Sequence, residues 1–117
     1  MEFKDRTLKP YTEPVSASTL QKGELYFSVQ YLDDEMCVPT IDTLVFVGRE
    51  TRPGDSPILY FQDAESYRDG VRIDNERRDQ AQFLAQPEDQ LSAVFTYEKA
   101  LDQLMACSIR RRKQERD

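Results

Sequence analysis

The chain has 117 residues, 22 acidic against 16 basic, a formal net charge of −6 and no histidine. That length suits one domain, 1–117, with a core of its own, and the missing histidine excludes Ser-His-Asp and Cys-His machinery along with the usual zinc and non-haem iron sites. The closing "RRRKQERD" holds five cations and two acids, so residues 1–109 carry −9, a body that disfavours nucleic acid as a partner.

Residues 1–23 read as an extended arm, rich in Pro, Ser, Thr and Lys, with Pro10 and Pro14 suiting loop or edge conformations. The arm has no apolar run, and nothing later approaches the ~18 apolar residues of a membrane span. A cytoplasmic protein with no membrane association is the expectation. Cys37 and Cys107 are too few and too far apart for a disulfide framework, and read as reduced, buried thiols.

Residues 24–86 carry the sheet. "ELYFSVQYL" (24–32) alternates, with Leu25, Phe27, Val29 and Tyr31 on one face, and reads as a half-buried strand. "DDEMCVP" follows as a loop, then "TLVFVG" (43–48), apolar on both faces and so expected at the centre of the sheet. "RETRPGDSP" is a polar turn, which leaves Ser56 without a base and not a nucleophile. "ILYFQ" (58–62) is the third strand, and short connections make the three an antiparallel meander.

"DAESYRDG" reads as a short helix over 64–69, with Asp63 at its N-cap, Glu65 in its first turn and Gly70 in the left-handed position after its end. A charged connection follows, with room for a short strand at Val71–Ile73, and "AQFLA" (81–85) supplies a further strand. The segment 87–113 is expected to form one C-terminal helix opened by Pro87. A single register places Leu91, Val94, Phe95, Leu101, Leu104, Met105 and Ile109 on one broad half of the cylinder. The competing reading ends a strand at 91–96 and starts the helix at Tyr97, because "AVFTY" is β-prone.

The expected fold class is therefore α+β: a curled antiparallel meander of four or five strands, tending to an open barrel, with a short helix and a long amphipathic C-terminal helix. Isolated glycines exclude phosphate-cradling loops, and no Cys-x-x-Cys is present, so no cofactor is implied. The helix offers more apolar surface than one small sheet covers. It points to a non-catalytic interaction or assembly module, a homo-oligomer or a subunit bound to a protein partner, using Leu101, Leu104, Met105 and Ile109. A second reading uses carboxylates. Asp33 and Asp34 after the first strand, and Asp63 and Glu65 after the third, lie toward one end of a meander and suit a divalent metal or small-ligand site. Against it stands the plain role of Asp63 as a cap.

Overall fold

The computed structural model describes residues 13–116. Five strands form one antiparallel sheet in the order β4-β3-β2-β1-β5: β1 Leu25–Tyr31, β2 Pro39–Glu50, β3 Ile58–Asp63, β4 Phe83–Pro87 and β5 Val94–Phe95. Two helices complete it, α1 Ala64–Arg68 and α2 Tyr97–Arg116. The architecture is the α+β meander that the sequence predicts, and its sheet does not close.

The first four strands follow one another across the sheet, the first three through short links, 32–38 and 51–57, and the fourth through the longer segment 64–82 that carries α1. The link 88–93 then carries the chain from the β4 edge to the opposite one, where Phe27 pairs with Phe95 and Ser28 with Val94. Leu91 packs against the core on the way. Each face of the sheet buries its own cluster. The inner face gathers Tyr26, Leu44, Phe46, Leu59, Phe61 and Val94, closed at one side by Val15 and Leu20. The outer face carries Val29 and Phe95 beneath Ala100 of α2, with Phe27, Tyr31 and Leu104 packed around them.

Three expectations change here. The C-terminal helix begins at Tyr97 rather than Pro87, so it has 20 residues and a length of about 30 Å. Pro87 instead ends β4, an edge strand in which a residue without a backbone N–H is tolerated. Val94 and Phe95 bury on opposite faces, a period of two that no helix allows. The arm 1–23 is not wholly extended: residues 1–12 lie outside the described residues, whereas from Val15 onward the chain is part of the core, with a 3-10 turn at Ala17–Thr19 and the Val15 N–H donating to the Val94 carbonyl at 2.8 Å. No strand forms at Val71–Ile73, and Val71 is buried as part of a turn-rich connection.

Curvature comes from a bulge in β2. The pairing with β3 slips between Phe46 and Gly48, and Gly48 takes φ +154°, a region almost reserved to glycine. A Cβ at this position would meet nothing within 4 Å. Gly48→Ala therefore tests backbone strain alone, and is expected to cost about 1–3 kcal/mol. Urea unfolding should show a lower midpoint with an unchanged slope; a neutral substitution would mean that the strand runs through without the bulge.

Candidate functional site

α2 lies across β1 and β5, and its residues divide sharply. Ala100, Gln103 and Cys107 recur at three- and four-residue steps and are buried, and Leu104 beside them is half-buried against the outer cluster. The next row round the cylinder recurs every fourth residue and faces outward: Tyr97, Leu101, Met105 and Ile109 are 58%, 55%, 59% and 40% exposed. Of the four predicted interaction residues, Leu101, Met105 and Ile109 stand in this row, while Leu104 belongs to the protomer's own packing. Tyr97 is the member that sequence reasoning missed. Its signal is its place four residues before Leu101, and its ring meets Phe27 edge-on at 4.5 Å between centroids.

Arg110 holds the far end of this helix in place. Its Nε donates to the Met36 carbonyl at 2.9 Å and an Nη to the Tyr31 hydroxyl at 3.0 Å, and its guanidinium lies 5.3 Å from the centre of the Tyr31 ring. One of the four cations in "RRRK" is thus spent on tying α2 to the β1–β2 loop, whereas Arg111, Arg112 and Lys113 are exposed. The signal for Arg110 in the sequence is its place three residues after Cys107, the next step along the buried side of the helix.

The carboxylates of the second reading are placed apart. Asp63 pairs across β2 with Leu44, which pairs with Tyr26, while β1 runs on to Tyr31 opposite Pro39. Five residues of ladder, about 17 Å, therefore separate the end of β3 from the loop holding Asp33 and Asp34. Asp63 is the N-cap of α1. Its Oδ2 accepts from the Ser66 N–H at 3.0 Å, and its Oδ1 accepts from the Ser66 hydroxyl at 2.6 Å and the Gln82 N–H at 2.8 Å. Burial pushes this carboxyl up, but the donors from Ser66 and Gln82 outweigh it and hold the group below the ordinary carboxylate range. Asp33 repeats the pattern within its own loop, accepting from the Cys37 N–H at 3.0 Å and the Val38 N–H at 2.8 Å. There too burial opposes and the backbone donors prevail, so the carboxyl is lowered. Asp34 and Glu65 are exposed. Among the described residues no group of three or more His, Cys, Asp or Glu is arranged to hold a metal ion.

A groove of about 330 Å³ runs past Asp63 on the inner side of the sheet, between Ser28, Gln30 and Asp42 on one wall and Leu84 on the other. Its central carboxylate is already engaged by three donors, which leaves it little basicity for catalysis. The thiols are equally quiet. Cys37 and Cys107 are both buried and free, and burial, then the nearby Asp33 carboxylate, push the Cys37 thiol up, away from the reactive thiolate. Beneath α1, Gln62 is wholly buried and donates to the Ser66 hydroxyl and the Val71 carbonyl, both at 2.9 Å, fastening the helix and the turn after it to β3.

No protein-family model matches the chain, and no curated protein or solved structure matches it either. No helix among the described residues is long and apolar enough to cross a membrane.

Proposed function

We propose that this protein is a non-catalytic interaction module whose protein partner docks on the outward row of α2. The observation that carries this reading is the exposure of four large apolar side chains in an unbroken line, Tyr97, Leu101, Met105 and Ile109. Scattered exposed hydrophobics are ordinary, whereas a contiguous row along a well-anchored helix marks a surface waiting for cover. The row is stiff, since Ala100 and Cys107 bury the helix on one side and Arg110 pins its end. A preorganised surface binds without a large ordering cost. An acidic body and a basic helix end add a charge pattern that selects orientation.

The test separates surface from core. Leu101→Asp with Met105→Asp should leave the protomer folded, with its unfolding midpoint in dilute solution shifted by no more than about 0.5 kcal/mol in stability. The wild type should enhance the fluorescence of an apolar dye such as ANS in dilute solution, and the double variant should lose that signal. Leu104→Asp, directed into the outer cluster, should by contrast destabilise severely. A double variant that unfolds as readily as Leu104→Asp would place the row inside the protomer's core and end the proposal.

A further inference from the structure

We infer that the partner is a second copy of this chain, with the two α2 helices antiparallel across a two-fold axis at Met105. This rests on the reading of the outward row as a docking surface, and adds to it an occupant and a register.

Three members of the row are symmetric about Met105. Leu101 stands four residues before it and Ile109 four after, so a two-fold axis through Met105 sets Leu101 of each copy against Ile109 of the other. Tyr97, eight residues before Met105, is set against Lys113 of the other copy. Rows at four-residue spacing are the ridges that interdigitate in the commonest packing of two helices. The next step outward carries charge. Glu98 lies seven residues before Met105 and Arg112 seven after, and a seven-residue step turns a helix by only about 20° from complete register. Both therefore border the row, and the same axis brings each Glu98 to an Arg112 of the other copy, twice. Glu98 is engaged within its own protomer, but a carboxylate has acceptor sites for a further donor.

Charge also decides direction. Parallel helices would stack Arg111, Arg112 and Lys113 against their own copies. Antiparallel helices part the two Arg112 by about 21 Å along the pair at ~1.5 Å per residue, more than two screening lengths of ~8 Å at physiological salt. The negative C-terminal end of each helix dipole then lies beside the positive end of its neighbour.

Light scattering should show the mass rising with concentration from the 13.7 kDa of one chain toward twice that value. Met105→Cys, oxidised with copper phenanthroline, should give a covalent dimer far faster than Lys99→Cys, which is exposed on the other flank of α2, or Arg112→Cys, which the axis keeps apart. Arg112→Glu should weaken the dimer roughly tenfold through its two symmetric contacts, and Glu98→Arg added to it should restore affinity. A single-chain mass at every concentration overturns the self-pairing, and so does Arg112→Cys cross-linking faster than Met105→Cys. If Met105→Cys and Lys99→Cys react at equal rates, the contact is mere collision and the register fails. In each of these cases the docking surface itself is judged separately, by the dye signal and folding of the Leu101→Asp, Met105→Asp variant.

Discussion

Phe61→Ala is expected to bring the protein close to unfolding at room temperature. Phe61 has no exposed surface, sits in β3 between β2 and β4, and its ring meets Phe46 at 5.5 Å between centroids. Truncating a buried Phe removes its transfer free energy and leaves a cavity, about 3–5 kcal/mol together. Domains of this size have about 5–15 kcal/mol in all. The inner cluster has little capacity to collapse into the gap, because Leu59 and Val94 beside it are themselves fixed by the ladder. Thermal unfolding by circular dichroism should show the midpoint falling by more than about 10 °C. Tyr60, one residue earlier and half-exposed, gives the comparison: its hydroxyl donates to a Glu50 carboxylate oxygen at 2.7 Å at the surface, and Tyr60→Ala should lose far less. Equal losses at the two positions would mean that β3 does not present alternate faces as described.

The strand itself was legible in the chain, as was the short helix after it, because both rest on neighbours in sequence. Asp63 and Gly70 bracket α1 as the local chemistry of caps demands, with Gly70 at φ +88° and its N–H on the Tyr67 carbonyl. The segment 87–96 was misread for the opposite reason. A helical stripe nearly half a cylinder wide accommodates almost any apolar run, so the fit of Leu91, Val94 and Phe95 to one register carried little information. What decides the matter is the pairing of Phe95 with Phe27 and Val94 with Ser28, some 65 residues away in sequence. β5 is two residues long, and its local sequence alone does not specify it. The same holds for the bonds of Arg110 to Tyr31 and Met36, which depend on the sheet being built first. The outward row on α2 was legible in part: Leu101, Met105 and Ile109 stand in it, Tyr97 was missed, and Leu104 was included although it packs within the protomer.

Asp63→Ala is expected to be the most damaging substitution of any partly exposed residue, and it separates the two readings of the carboxylates. Losing the side chain removes the cap on α1, worth about 0.5–2 kcal/mol. It also leaves the Gln82 N–H and the buried Ser66 hydroxyl without their charged acceptor, at about 1.5–3 kcal/mol for a hydrogen bond to a charged group. These losses share one network and do not add fully, so about 2–4 kcal/mol is expected in urea unfolding, against a nearly neutral Asp34→Ala on the exposed loop. The pH dependence follows from the sign of the shift. The folded carboxyl titrates below its unfolded value of about 3.9, so its contribution is complete above that value and is lost as pH falls through the folded one. Asp33, shifted the same way by the Cys37 and Val38 N–H groups, deepens the loss, and the urea midpoint of the wild type should drop steeply below pH ~4. Asp63→Ala should remove part of that drop, since the group responsible is gone. A metal ligand would behave otherwise. Its removal would leave the metal-free protein nearly as stable, while millimolar Mg²⁺, Ca²⁺ or Mn²⁺ would raise the midpoint of the wild type and not of the variant, by RT ln(1 + [L]/Kd). An unchanged wild-type midpoint in metal, together with a destabilised variant in chelator, assigns the carboxylate to the fold.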